Sequence, residues 1–159
     1  MCIRDRVTQL GVYRVDCLLS ERSKFLKKPS EKKIERWKKV ITGACEQSGN
    51  NWMPLIGHKT LDEWQTDIPS ENKFYLNPGE NKNIESLSKL EEIYLSIGPE
   101  GGFSPKEIDK MRSNGLEGVS LGDLVIKTET VPIVLLSMLK ILKEFKAIFS
   151  TFSTNDKCI

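Results

Sequence analysis

The sequence has few cysteine and histidine side chains, and their spacing matches no familiar metal site. Its 159 residues include four cysteines and one histidine, namely Cys2, Cys17, Cys45, Cys158 and His58. No two cysteines form a CxxC pair, and a single histidine cannot complete a zinc site with them at any usual separation. We therefore expect no metal site, reduced thiols in a cytosolic protein, and a surface-loop position for His58.

The sequence also lacks an apolar run long enough to cross a membrane. The longest run, residues 131–142, is interrupted by Ser137 and Lys140 and falls short of the roughly 18 residues that a spanning helix needs. A secretory signal pattern is absent as well. These absences predict a cytoplasmic protein that has no membrane partner.

A strong net charge of one sign is missing too. The formal charge is only +2, which by itself does not indicate a nucleic-acid partner. The charge is unevenly distributed, because residues 21–39 hold nine basic and three acidic side chains. A phosphate backbone would attract such a segment, and a solvated helix face is the alternative. The candidate RNA contacts are Arg22, Lys24, Lys32, Arg36 and Lys39.

Strand-like and helical patterns alternate along the chain. With 38% hydrophobic and 29% charged residues, the composition is typical of one soluble globular domain. Apolar runs predict strands near residues 12–19, 74–76, 93–97 and 118–121. Helical spacing and capping residues predict helices between Ser30 and Gly49, between Ser104 and Asn114, and from Thr130 to about Phe145. We expect loops and short elements over residues 50–64. The alternation predicts an α/β fold with a largely parallel sheet. The last helix is apolar on nearly every side, so we expect it to be buried on more than one face, against the sheet or against a second subunit.

The stretch LSIGPEGGFSPKEID, residues 95–109, joins a strand to a helix through three glycines. Ser104, Pro105 and Glu107 predict a helix start with a capping box. Glycines admit a ligand close to the backbone, and ligands bind beyond the carboxyl ends of parallel strands, so this is a candidate binding loop. It matches neither the P-loop nor GxGxxG, and Glu100 would repel a phosphate, so an uncharged or cationic ligand suits it better. A tight turn that uses glycine for geometry alone is the alternative.

The stretch SLGDLVIKTETV, residues 120–131, is the second candidate. It contains Lys127, Thr128, Glu129 and Thr130 directly before the most apolar helix. A threonine cap and a solvated lysine are the alternative interpretation.

Five segments, in chain order, resemble the RsmE family of bacterial 16S ribosomal RNA uridine-N3 methyltransferases, which belongs to the SPOUT superfamily. They are TQLGV (8–12), SERS (20–23), EQSG (46–49), IGPEGGFSPKEI (97–108) and VSLGDLVIKTETV (119–131). The resemblance implies a mainly parallel sheet flanked by helices, a C-terminal trefoil knot, and a homodimer with the active site near the subunit interface. It divides the chain into a leader unlike the family (1–7), a SPOUT methyltransferase domain without its N-terminal PUA-like domain and first strand (8–150), and a tail (151–159).

The resemblance further implies S-adenosylmethionine as the cofactor, held mainly by the backbone of three loops. A sulfonium cation and a neutral adenosine do not need the lysine clamp and helix dipole that phosphate needs. The matching positions are Leu76, Asn77, Pro78, Gly98, Pro99, Glu100, Gly101, Gly102, Leu121, Gly122, Val125, Ile126, Lys127 and Thr128.

The implied reaction is in-line methyl transfer to uridine N3 of 16S ribosomal RNA in the small ribosomal subunit. We expect Glu100 or Glu129 to orient the base or accept its proton, and Lys127 to stabilise negative charge on a uracil oxygen. Family members often carry arginine at the positions of Lys127, Leu124 and Asn50, so weaker RNA contact is expected here. Two alternatives stay open: a weakly active or inactive remnant that binds RNA or cofactor, and a SPOUT methyltransferase for another RNA such as transfer RNA.

Overall fold

The computed structural model describes residues 3–23, 29–69, 71–122 and 125–142. Helices and strands largely alternate within these ranges, and the sequence patterns did not predict the three helices that have only six or seven residues. The elements are α1 (Ile3–Gln9), β1 (Arg14–Leu19), α2 (Glu31–Ser48), β2 (Leu55–Thr60), α3 (Leu61–Asp67), β3 (Lys73–Leu76), β4 (Lys82–Asn83), a 3-10 helix (Ile84–Lys89), β5 (Tyr94–Ile97), α4 (Pro105–Ser113), β6 (Glu117–Ser120) and α5, described over residues 131–142.

The strands form two parallel sheets. In the smaller sheet β1 pairs with β2, with Arg14 opposite Leu55 and Leu19 opposite Thr60. The larger sheet has the order β4-β6-β3-β5, and its three strand pairs are all parallel. Parallel strands need crossover connections, which the helices supply here. The predicted α/β class with a mainly parallel sheet is therefore confirmed, whereas the trefoil knot stays a prediction.

Strand β3 lies between two hydrophobic clusters. Its adjacent residues Phe74 and Tyr75 point to opposite faces of the sheet, as successive strand residues do. Phe74 packs in a cluster with Leu135 and Leu139 of α5. Tyr75, with no exposed surface, packs in the other cluster with Met111 of α4. Burial on both faces explains why β3 is a continuous apolar run in the sequence instead of an alternating pattern.

Helix α5 has a buried and an exposed apolar side. Val131, Leu135 and Leu139 recur every four residues and are buried, which places them on one helix face. Met138 and Ile141 are 39% and 56% exposed. The expected packing of this helix against the sheet is confirmed for the buried face, and contact with a second subunit stays a prediction.

Helix α2 is amphipathic, as its spacing predicts. It ends at Gly49, whose φ of 69° is in the left-handed region that favours glycine. Its buried face packs against α1, where the guanidinium of Arg4 lies 3.7 Å from the centre of the Trp37 ring. The buried residues of this face are Trp37, Ile41 and Ala44.

Residues 50–64 contain more regular structure than the sequence patterns predict. His58 is half-buried in β2, opposite Cys17 of β1, so the prediction of a surface-loop position is wrong. The sequence LIGHKT has no alternating apolar pattern that would predict a strand. It is a strand because it pairs with β1 in the folded protein. Gly57 serves that pairing, since a Cβ there would lie 2.2 Å from Oδ1 of Asp16.

Helix α3 follows β2 directly and begins with a capping box. The hydroxyl of Thr60 accepts a hydrogen bond from the Glu63 N–H at 3.1 Å, and the Glu63 carboxylate accepts one from the Thr60 N–H at 2.8 Å. The T-x-x-E pattern that forms it is visible in the sequence and could have predicted this helix start.

Candidate functional site

Three loops meet at one edge of the larger sheet. Strands β6, β3 and β5 are neighbours and run parallel, so their carboxyl ends lie at the same edge, where α/β proteins bind ligands. The loops after them begin at Leu121, Asn77 and Gly98. The Asn77 N–H donates a hydrogen bond to the Val119 carbonyl at 3.1 Å, which ties the loop after β3 to β6. The loops enclose a cleft.

The structure brings most of the predicted cofactor-binding residues together in this cleft. Sequence reasoning missed Ile97, Ser120 and Val131, which also line it and which directly adjoin the loops. Gly101 and Lys127 were predicted but do not line the cleft. That the lining residues bind a cofactor stays a prediction. The predicted residues in the lining are Leu76, Asn77, Pro78, Gly98, Pro99, Glu100, Gly102, Leu121, Gly122, Val125, Ile126 and Thr128.

The glycines after β5 are required by the loop itself. Gly98 is buried, and a Cβ on it would lie 3.1 Å from the Phe103 nitrogen and 3.2 Å from the Gly102 carbonyl carbon. Gly102 has a φ of 68°, and its N–H donates to the Pro99 carbonyl at 2.8 Å. The loop conformation therefore requires glycine at both positions. Without side chains there, the main chain of the loop forms one wall of the cleft.

Helix α4 fixes the far end of this glycine loop (residues 98–103). The Ser104 N–H donates to Oε2 of Glu107 at 2.8 Å, and the Ser104 hydroxyl accepts from the Glu107 N–H at 3.3 Å. Pro105 occupies the first helical turn. The predicted capping box is therefore confirmed, and it joins the loop to a helix that is anchored in the core through buried Met111.

The three residues predicted to take part in catalysis occupy two different positions. Glu100 is exposed and lines the cleft. Lys127 and Glu129 are exposed in the segment before α5 and do not line it. The Lys127 carbonyl accepts hydrogen bonds from the N–H groups of Thr130 and Val131 at 2.8 and 3.1 Å, so its backbone begins α5. Their catalytic roles stay predictions.

The residues predicted to contact RNA also divide into groups. Arg22 is exposed and donates from Nη1 to the Gly101 carbonyl at 2.8 Å, so it touches the glycine loop. Lys24 lies outside the described residues. The exposed side of α2 carries Lys32, Arg36 and Lys39.

A polar cluster that the sequence analysis missed lies behind the loop after β3. The Tyr75 hydroxyl donates to Oε1 of Glu80 at 3.1 Å and accepts from Nε of Arg112 at 2.8 Å. Arg112 also pairs with Glu80 at 2.9 Å. The side-chain amide of Asn77 donates to the same Oε1 at 3.2 Å, so Glu80 holds a residue that lines the cleft. Arg112 lies more than 30 residues from the other three, so no local signal marks the cluster.

Burial and neighbouring charges act on Tyr75 in this cluster. Burial is the main reason that the pKa of the Tyr75 phenol is raised above its ordinary value, the bond to Glu80 raises it further, and the bond from Arg112 opposes them. Gly118 leaves the space that Glu80 occupies, since a Cβ at that position would lie 2.3 Å from Oε2 of Glu80. Because its pKa is raised, the Tyr75 phenol stays neutral and can donate to the Glu80 carboxylate.

The cleft has the chemistry of a nucleoside site. Its walls are main-chain groups of the glycine loop and apolar side chains such as Leu76 and Ile126, which suit a flat neutral base and a compact cation.

Within the described ranges no group of three or more histidine, cysteine, aspartate or glutamate side chains could hold a metal ion. None of the described helices combines the length and apolar character that a membrane span requires.

Sequence comparison identifies relatives for most of the chain. The RNA methyltransferase domain family matches residues 2–140. A ribosomal RNA small subunit methyltransferase E from Synechocystis sp. is 31% identical over 145 residues, covering 86% of this chain and 47% of the relative. The protein of the same name from Buchnera aphidicola (subsp. Schizaphis graminum) is 32% identical over 139 residues, covering 84% of this chain and 56% of the relative. The chain thus spans about half the length of these curated relatives.

Solved structures share the fold. A Legionella pneumophila structure, described as a methyltransferase in complex with the cofactor SAM, superposes with a TM-score of 0.80 at 33% identity, covering 87% of this chain and 59% of that one. A ribosomal RNA small subunit methyltransferase E from Neisseria gonorrhoeae, bound to S-adenosyl methionine, superposes with a TM-score of 0.75 at 26% identity, covering 88% and 59%. These matches show that the chain belongs to the RNA methyltransferase domain family, and the relatives that it resembles include ribosomal RNA small subunit methyltransferases E.

Proposed function

We propose that this chain binds S-adenosylmethionine in the three-loop cleft and transfers its methyl group to N3 of a uridine in 16S ribosomal RNA. The observation that carries the proposal is the cleft itself, in which the main chain of the glycine loop faces apolar side chains at the carboxyl ends of parallel strands. A neutral adenosine packs on the apolar wall and hydrogen-bonds to main-chain groups, without a phosphate clamp. The SAM-bound neighbours with the same fold support this ligand.

The reaction is a displacement at the methyl carbon. Uridine N3 attacks that carbon, the new N–C bond forms as the C–S bond breaks, and the sulfur keeps the electron pair to give S-adenosylhomocysteine. The N3 proton passes to a carboxylate, for which Glu100 is favoured over Glu129 because Glu100 lines the cleft. Lys127 balances negative charge on a uracil oxygen. Holding donor and acceptor in line supplies much of the remaining acceleration.

The RNA binds next to this site through the exposed basic side chains of α2. The exposed side of α2, with Lys32, Arg36 and Lys39, holds phosphates, so RNA affinity should fall steeply with salt. With RNA of the small ribosomal subunit as substrate, the compartment is the cytoplasm. A second copy of the chain covers the exposed apolar side chains Met138 and Ile141 of α5 and so forms the homodimer.

Two measurements test this proposal. Calorimetry with S-adenosylmethionine should give saturable binding to the wild-type protein. Methyl incorporation from labelled donor into small-subunit RNA should then produce a primer-extension stop at one uridine, and Lys127→Ala should slow it by about tenfold or more. The matched control is Lys89→Met, which removes one positive charge from an exposed residue of the 3-10 helix and should leave the rate unchanged.

The possible results separate the alternatives. A wild-type protein that fails to bind the donor refutes the proposal. Donor binding without methyl transfer to any RNA identifies a remnant, and stops on transfer RNA instead of small-subunit RNA identify a methyltransferase of other specificity. A Lys127→Ala protein with the full rate removes that residue from the mechanism.

A further inference from the structure

The turn formed by residues 20–23 is attached to the glycine loop. Nη1 of Arg22 donates to the Gly101 carbonyl at 2.8 Å and makes a longer contact, at 3.5 Å, with the Phe103 carbonyl. The aliphatic part of Arg22 lies over Gly101, since a Cβ on that glycine would be 3.5 Å from Cδ of Arg22. One side chain thus contacts the glycine loop at two carbonyls and across its surface.

A single carboxylate connects the turn and the helix that follows the loop. Oε1 of Glu107 accepts a hydrogen bond from the Glu21 N–H at 2.8 Å. The other oxygen, Oε2, accepts from the Ser104 N–H at 2.8 Å within the capping box. Glu107 therefore joins the 20–23 turn to the start of α4, and the glycine loop is bounded by both.

The 20–23 turn is itself held in a fixed shape. Ser20 is only 7% exposed, and its N–H donates to Oγ of Ser23 at 3.1 Å. The Ser23 N–H returns a hydrogen bond to the Ser20 carbonyl at 3.0 Å, and the two hydroxyls are 2.8 Å apart. Because both ends of the turn are bonded to each other, Arg22 projects from a rigid base and not from a free loop.

We propose that Arg22 is a positioning residue for the methyl-donor site, which fixes the glycine loop in its binding conformation before the donor arrives. The charged guanidinium makes a strong bond to a carbonyl, and a loop with glycines at 98, 101 and 102 has much conformational freedom to lose. Fixing it in advance reduces the entropy lost on binding. This role differs from the phosphate contact expected for Arg22 from the sequence, and it rests on the proposed function only in the identity of the ligand.

Hydrogen exchange of the free protein tests the fixing of the loop directly. The Gly102 amide, which donates to Pro99, should exchange about fivefold or more faster in Arg22→Met than in wild type, because the loop opens more often. Amides in α2 and β3 should exchange unchanged, which separates a local effect from general destabilisation. Arg22→Lys keeps a positively charged N–H donor group and should restore most of the protection. Lys89→Met, an equal loss of charge elsewhere, should match wild type.

Calorimetry with S-adenosylmethionine in the absence of RNA tests the consequence for the site. Arg22→Met should bind the donor about tenfold more weakly, with Arg22→Lys intermediate and Lys89→Met unchanged. If Arg22 served only an RNA phosphate, donor affinity without RNA would be the same in all four proteins. Unchanged exchange at Gly102 in Arg22→Met overturns the inference. If the wild type binds no donor, the proposed function fails, and the exchange result still decides the role of Arg22.

Discussion

Replacing Tyr75 with phenylalanine removes one buried hydroxyl, and with it two hydrogen bonds, from the cluster behind the cleft. The residue has no exposed surface, and its hydroxyl donates to Glu80 at 3.1 Å and accepts from Arg112 at 2.8 Å. Phenylalanine keeps the ring that packs against Met111 and removes only one oxygen, so no cavity of methylene size is left. The change therefore reports on the polar contacts of the hydroxyl alone.

The expected loss follows from what remains around Glu80. A hydrogen bond to a charged group contributes about 1.5–3 kcal/mol to stability. The Glu80 carboxylate keeps its donors on Asn77 and Arg112, so the lower end of that range applies. We expect Tyr75→Phe to lower the free energy of unfolding by about 1.5 kcal/mol. In a domain of this size that corresponds to a fall of about 3–6 °C in Tm, measured by urea denaturation and by calorimetric melting.

Tyr94→Phe is the matched control. Its hydroxyl also donates to a carboxylate, that of Glu92, at 3.1 Å, but this pair lies on the surface, two residues apart. An exposed bond of this kind should change stability by less than about 0.5 kcal/mol. No loss in Tyr75→Phe would show that the buried hydroxyl does not stabilise the fold, and equal losses in the two variants would show that its burial adds nothing to the bond. A second readout is the affinity for S-adenosylmethionine, which should fall only in Tyr75→Phe. The Tyr75 hydroxyl helps to hold Glu80 in place, and Glu80 contacts Asn77 at the cleft.

Two further predictions concern the cleft and alkaline pH. Gly98→Ala should weaken donor binding by about tenfold in calorimetry, because the added Cβ would lie 3.1 Å from the Phe103 nitrogen, whereas Gly43→Ala in α2, with nothing within 4 Å of its Cβ, should bind normally and be slightly more stable. The folded-state pKa of Tyr75 is raised, so its contribution is fully present below the ordinary pKa of about 10 and is lost as pH rises through the folded value. Urea denaturation between about pH 8 and pH 11 should therefore show falling stability in wild type and a shallower fall in Tyr75→Phe, and parallel curves would contradict the assignment.

Elements with local signals were predictable from the sequence. The apolar stripe of α2, its end at Gly49 and the capping box of Ser104 and Glu107 all depend on residues within one or two helical turns of one another. Strand β2 was missed for the opposite reason, because its interior is polar and its identity as a strand comes from pairing with β1. The capping box that begins α3 also has a local signal, because Thr60 and Glu63 are three residues apart.

The sequence by itself determined where the strands end in glycine-rich loops, how the following helix begins, and which family motifs those loops carry. The tertiary structure alone decided that loops some 20 residues apart meet in one cleft, because the strand order β6-β3-β5 is set by packing across the sheet. It likewise brought Arg22 onto the Gly101 carbonyl, and Arg112 onto Tyr75 and Glu80. Such contacts join residues distant in the chain, and no spacing along a sequence records which side chains the folded core places within hydrogen-bonding distance.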